Sequence, residues 1–348
     1  MKKIAIIVLI FIMLFSACGG KPSPTPTEEP TPTPEPSPSP SVSVNPYINP
    51  LTGLPTEKDI SRNRPYAIMV NDLKEALPQC GVGSADIIYE VVAEGGITRM
   101  VAVFQDAARV GNVGSVRSTR TYYLDIAQGL DAILLHAGAS TYAYDALNTR
   151  DIAHVDGIYD TTIFYRDPNR MSSGYEHSLF TSGELITENI GKFGLRLTHE
   201  EDYACNMVFG SPSSLSGTGA ESISVKYSYY KMGEFSYNDE DGLYYICQFD
   251  EPYVDGDTDK QVAVKNVLVL FANHTSIPND ELKRIEVDLV GTGSGIYAAE
   301  GRSIEINWSK SSYDSQFEYT LKDGSPLTFA PGTSYINIVE SGDNVTIN

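Results

Sequence analysis

Asp86-Ile87-Ile88-Tyr89-Glu90-Val91-Val92-Ala93, then Glu94-Gly95-Gly96, then Ile97-Thr98-Arg99-Met100-Val101-Ala102-Val103-Phe104 is the stretch on which the fold turns. Two apolar runs flank a Gly-Gly turn signal, so it reads as two strands joined by a tight connection. Pro65 to Asn71 upstream and Asp131 to His136 downstream read as further buried strands. Between and after them, Ser118 to Leu130 carries Tyr122, Tyr123, Ile126 and Leu130 at helical spacing, and Thr141 to Thr149 reads as a second helix. Strands alternating with helices predict an α/β N-terminal domain over residues 49–210. Ser211 to Gly219 is rich in Ser and Gly and reads as an interdomain loop. Beyond it the apolar period becomes two, with turn signals at Asp239-Glu240-Asp241-Gly242 and Lys322-Asp323-Gly324. Residues 211–348 are therefore expected to form a mostly antiparallel, all-β C-terminal domain.

At the other end of the chain, Met1-Lys2-Lys3 and the apolar run Ile4 to Phe15 read as a signal segment, too short for a final membrane span. Ser16-Ala17-Cys18-Gly19 follows, with small residues just before a cysteine as in a bacterial lipobox. Residues 1–17 are expected to be a lipoprotein signal peptide and Cys18 the lipidated N-terminus. Ten of the 20 prolines fall between Pro22 and Pro46, and this tract has no apolar periodicity. Residues 18–48 thus read as the lipidated Cys and a Pro-rich stalk, reaching roughly 75 Å as polyproline II. The expected location is the extracytoplasmic face of a bacterial cell membrane, with the lipid as the membrane contact.

The 348 residues carry a net charge of −20, with no basic tract to offset it. Nucleic acid and anionic membrane surfaces are unsuitable partners for such a chain. Ten of the 12 arginines nevertheless lie in residues 51–210. Arginine is the side chain best shaped for bidentate contact with carboxylate or phosphate, so an anion site, if present, belongs to the first domain.

Several motifs in one order, Asn63-Arg64-Pro65 to Asn71-Asp72, Glu94-Gly95-Gly96-Ile97-Thr98-Arg99, Val116-Arg117-Ser118-Thr119-Arg120 and His136-Ala137-Gly138-Ala139-Ser140, resemble the YerB-like family of bacterial lipoproteins. Gly301-Arg302-Ser303-Ile304 to Trp308-Ser309-Lys310 resembles that family's second domain. The resemblance implies membrane attachment and two domains, and no activity. Relatives tend to have Pro-His-Asn where this chain has Glu176-His177-Ser178, so no role is carried over for the residue after the histidine.

The strongest local signal is Gly114-Ser115-Val116-Arg117-Ser118-Thr119-Arg120, a glycine loop entering an expected helix. Helix starts attract anions through free N–H groups. On a helix start, Arg117 and Arg120 share one face. Arg117, Arg120, Ser115, Ser118 and Arg99 are the expected anion-binding set; structural pairing of the arginines with Glu90, Glu94 or Asp125 is the competing account. As candidate catalytic groups, Glu90 and Glu94 are carboxylates on one expected hairpin, and His136 ends a strand with Ser140 beyond it. His177 lies on an expected loop.

No histidine pair has ligand spacing, so no metal is expected, nor any cofactor. Asp255-Gly256-Asp257-Thr258-Asp259 begins like a calcium loop but has Lys260 at the sixth place and Asn266 at the twelfth. Ser228-Tyr229-Tyr230-Lys231 has the letters of S-x-x-K in what reads as strand. Cys80, Cys205 and Cys247 allow at most one disulfide. The sequence points first to a non-enzymatic binding or accessory protein for an anionic cell-wall component or an envelope protein. The alternative is a hydrolase or transferase on wall glycan or peptide, using Glu90 or Glu94 with His136.

Overall fold

A computed structural model describes residues 47–348; the leader, Cys18 and the stalk up to residue 46 lie outside the described residues. The folded body starts slightly earlier than expected, since Tyr47–Ile48 already pairs with Pro55–Thr56.

A mixed sheet runs through the body. From the first half of the chain it takes β1 (Tyr66–Asn71), β2 (Ile87–Val92), β3 (Thr98–Phe104), β4 (Ile133–His136) and β5 (His154–Asp156). The second half supplies β9 (Asn266–Phe271), β10 (Gly291–Ala299), β11 (Arg302–Lys310) and β12 (Ser334–Val339). In space the order is β11, β10, β9, β12, β2, β3, β1, β4, β5. The junction between the halves is the parallel pair β12·β2, with Glu90 beside Asn337. β1, β2, β4, β5, β9, β11 and β12 all run one way, and β3 and β10 run against them.

Every strand near the middle is buried on both faces, and residue parity sorts its side chains into two cores. Ala67, Met69, Ile87, Tyr89, Val91, Val101, Leu268, Leu270, Ile336 and Ile338 face one core with Tyr122, Leu124, Ala143, Trp308 and Phe317. Ile68, Val70, Ile88, Met100, Ala102, Val267, Val269 and Tyr335 face the other. The first core is covered by α1 (Thr121–Gly129) and α2 (Thr141–Thr149). The second is covered by a smaller antiparallel sheet, β6 (Ser222–Lys226), β7 (Met232–Asn238) and β8 (Leu243–Gln248), and by Ile186 of α3 (Gly183–Asn189).

The body is strand-rich, and one expectation changes. The first half is not a clear α/β domain. β1·β3 and β2·β3 are antiparallel, and β4–α2–β5 is the one strand–helix–strand parallel unit among the described residues. A doubly wound sheet needs helices on both faces; here strands of the second half cover one of them. The boundary near residue 210 divides two lengths of sequence that share one sheet and both cores. The second half has no α-helix and is mostly antiparallel, apart from the parallel pair β9·β12.

Cys80, Cys205 and Cys247 are free. Asp255 is buried and accepts hydrogen bonds from the backbone N–H of Gly83, Asp257 and Thr258, so that loop is closed by the protein itself. Among the described residues, no group of three or more His, Cys, Asp and Glu is placed to hold a metal, and no helix is long and apolar enough to cross a membrane.

Candidate functional site: an arginine cluster at the carboxyl ends of the strands

The carboxyl ends of β1, β2, β4 and β5 bring Asn71, Glu94, His136 and Asp156 to one end of the sheet, and the first residues of the antiparallel β3 add Thr98 and Arg99. The segment before α1 crosses this end. It is extended, not helical: Val116 pairs with Val70, Thr119 pairs with Ala139, and Arg120, at φ −134° and ψ 167°, stands just before the first helical residue. Arg117 and Arg120 therefore do not share a helix face. The helix begins at Thr121 because the backbone of residues 116–119 is already bonded to neighbours: Val116 N–H to Leu179 O, Arg117 N–H to Met69 O, and Thr119 N–H to Gly138 O.

Glu94 is the hub. Its Oε1 accepts from Arg99 Nη2 at 2.5 Å and Arg120 Nη2 at 2.6 Å, and its Oε2 accepts from Arg120 Nε at 3.0 Å. Burial works against ionisation, but the Arg99 and Arg120 guanidiniums hold this carboxyl down at about 2. Arg99 also donates to Ser118 O, and Arg120 to Thr119 O. This is the structural pairing weighed against a ligand site, and for these two arginines the pairing is present.

Arg117 differs. Its guanidinium makes one hydrogen bond, a long one of 3.4 Å to the backbone O of Glu176, and its buried Nε has no partner. Burial, and then the charges of Arg99 and Arg120, push its guanidinium down. Three arginines thus meet around one engaged carboxylate, with exposed Glu176 the other acid near Arg117.

The remaining sequence candidates are distributed unevenly. Ser118 is half-buried and donates to Ala137 O; Ser115 is buried completely, with an unpartnered hydroxyl. His177 is buried; its Nδ1 accepts from Asn71 Nδ2 at 2.9 Å, and its Nε2 is 3.9 Å from Glu176 Oε1. Burial lowers its basicity. It therefore joins the arginine end of the sheet. His136 is buried, bonded to Gly138 O and at 3.0 Å to His154 Nδ1, with burial pushing it down. It does not reach the Glu94 cluster by any hydrogen bond.

Glu90 is remote from this surface. Parity sends it into the second core, where it accepts from Tyr227 Oη at 2.9 Å and Tyr335 Oη at 2.5 Å. Lys231 Nζ lies 3.5 Å from Glu90 Oε1 and 2.8 Å from Asp72 Oδ2, and Asp72 Oδ2 also accepts from Thr98 Oγ1. Glu90 and Glu94 do not face each other across a cleft, and Glu90 is only 1% exposed, too enclosed to meet a polymer. Sequence reading did not find the Asp72–Glu90–Lys231 cluster. Ser228 to Lys231, read as strand, is the loop between β6 and β7. There Ser228 Oγ accepts from Lys231 N–H, and the lysine side chain is fully buried. The available signal was Glu90 itself, an acid at a position where alternation calls for an apolar residue.

The domain family described as "Protein of unknown function (DUF3048) N-terminal domain" matches residues 51–196, and its C-terminal counterpart matches residues 223–336. A Bacillus subtilis (strain 168) protein named "Putative lipoprotein YerB" is 32% identical over 308 residues, covering 86% of this chain and 88% of the relative. The crystal structure of YerB protein from Bacillus subtilis superposes with a TM-score of 0.77 at 31% identity, covering 86% of this chain and 99% of that one. With both domains matched in order and a relative aligned along most of both chains, this chain belongs to the DUF3048 family that includes YerB.

Proposed function

We propose that this chain is a lipid-anchored extracytoplasmic protein, held through Cys18 and set off from the membrane by its proline-rich stalk. There it binds an anionic cell-wall component through Arg117, as an accessory to the wall rather than as an enzyme. The observation that carries this reading is the charge count at the carboxyl ends of the strands: three guanidiniums, one engaged carboxylate, and in Arg117 a guanidinium with no carboxylate partner. In a chain of net charge −20, such a local excess of positive charge offers an anion fixed donors inside a repelling surface. The kinship to a protein named "Putative lipoprotein YerB" supports the anchor.

The test is binding of a glycerol-phosphate polymer, measured calorimetrically at fixed salt. Each charge-assisted hydrogen bond contributes ~1.5–3 kcal/mol. Arg117→Ala should therefore weaken binding about tenfold to a hundredfold. Arg117→Lys should recover part of it, since lysine keeps the charge and loses the fork. Unchanged affinity in a folded Arg117→Ala variant refutes the site.

A further inference from the structure

The buried group of Lys231, Asp72 and Glu90 is not part of the anion site, and its composition is unusual. Lys231 and Asp72 side chains are 0% exposed and that of Glu90 is 1% exposed, on the core face where Ile88 and Met100 also point. Lys231 Nζ stands 2.8 Å from Asp72 Oδ2 and 3.5 Å from Glu90 Oε1, and the Phe249 ring covers it at 4.6 Å. Nζ has no hydrogen-bond acceptor of good geometry, and Asp72 Oδ1 and Glu90 Oε1 lack donors. Two carboxyls this close cannot both ionise in a dry site. Burial, with Glu90 beside it, pushes Asp72 up against the pull of Lys231. For Glu90 burial also works toward protonation, but Lys231 and hydrogen bonds from Asp72 and Tyr335 keep it below its ordinary value. The Lys231 charge, and after it hydrogen bonds from Asp72 and Tyr335, favour Glu90 as the acid that keeps the charge, although Asp72 is nearer the lysine. The site thus sets the Lys231 side chain against two carboxyls, Asp72 pushed toward the neutral acid and Glu90 toward the carboxylate.

We propose that Lys231 Nζ and the Asp72 side-chain carboxyl condense into an intramolecular isopeptide bond, with Glu90 as the proton acceptor. Glu90 takes one proton from the ammonium. The amine attacks Asp72 Cγ, a C–N bond forms, and the C–O bond to the hydroxyl breaks. That hydroxyl leaves as water with a second proton from the nitrogen. The reactants are R-NH3+, R′-COOH and Glu90 carboxylate; the products are R-NH-CO-R′, water and protonated Glu90. Four protons on the reacting groups and zero net charge are conserved, and no oxidant, nucleotide or metal is required. Held in contact, the two reactants need no encounter. The dry surroundings favour the reaction because it replaces two buried charges with a neutral amide and expels water. The bond would join the end of β1 to the β6–β7 loop, and so tie residues 51–196 to residues 223–336.

Proteolysis of the purified, denatured full chain followed by mass spectrometry tests this. The expected product is one branched peptide holding both Asp72 and Lys231, lighter than its two components by one water. Recovery of the two peptides only as separate linear species from wild-type protein that had been folded before digestion overturns the proposal, whether or not any variant folds. Lys231→Arg keeps the charge and cannot condense, so it should give linear peptides; a persistent loss of water there would place the link elsewhere and overturn the assignment. Glu90→Gln should slow linkage by roughly a hundredfold or more, and linkage at the wild-type rate would remove Glu90 from the reaction.

Discussion

Replacing Glu94 by Gln tests the electrostatics of the arginine cluster directly. Gln keeps the shape and loses the charge, leaving Arg99 and Arg120 without their shared counter-ion. The size of the effect follows from the carboxyl's own titration. It falls from 4.5 to about 2 in the folded protein, and at ~1.4 kcal/mol per tenfold this is ~3 kcal/mol. The side chain is 22% exposed, which trims the figure to ~2–3 kcal/mol. For a body of this size that corresponds to a drop in melting temperature of ~4 °C. The sign with pH is fixed. A depressed carboxyl contributes its full stability above the unfolded value and loses it as pH falls toward the folded value. The gap between wild type and variant should therefore be complete at pH 7 and close between pH 4.5 and about 2. The same substitution frees two more guanidiniums, so inorganic phosphate should restore the variant's melting temperature in proportion to the logarithm of its concentration. Thermal melts across pH, with and without phosphate, are the assay. A variant that melts with wild type at pH 7, or a gap that persists unchanged to pH 2, refutes the clamp.

Burial lowers the Lys310 ammonium to about 8, so the folded state binds fewer protons than the unfolded one between pH 8 and 10.5. Relative to Lys310→Met, wild type should gain stability across that window; denaturant titrations at pH 7.5 and pH 10 check it, and a pH-independent difference contradicts it. A Cβ at Gly293 would lie 2.5 Å from Trp308 Cε2. Gly293→Ala should therefore cost ~1–3 kcal/mol and shift the emission of the chain's single tryptophan; unchanged emission and stability would mean the ring has room to move.

Much of this was legible because strands announce themselves by pattern. β1, β2 and β3 follow from their apolar runs, and the parity that places Glu90 with Ile88 follows from the two-residue period. The onset of α1 was not legible. The helical spacing of Tyr122, Tyr123 and Ile126 is real, but nothing local reports that residues 116–119 are bonded to Met69, Gly138 and Leu179. The sharing of one sheet by both halves was hidden for a similar reason. Asn266–Phe271 and Ser334–Val339 are buried nearly throughout, as central parallel strands are. Continuous burial does not name the neighbour. Of the site, the arginines and Glu94 were visible as residue types, while their partition into a clamped pair and Arg117 depended on contacts set by the fold. Lys231 could not be matched to Asp72 because their meeting depends on how a hairpin of the second half docks.

The position of β12 also dictates an order of assembly. Its neighbours are β2, made early, and β9, made late, so the sheet stays open along one edge until residues near the very end of the chain are available. A polypeptide emerging amino-terminus first must hold β2 unpaired on that side through some 240 residues of further growth. Such an edge invites wrong partners and proteases in the interval. Truncation by even fifteen residues would remove β12 itself and leave that gap permanent, so clipping at the carboxyl terminus should disable the whole body rather than shorten it.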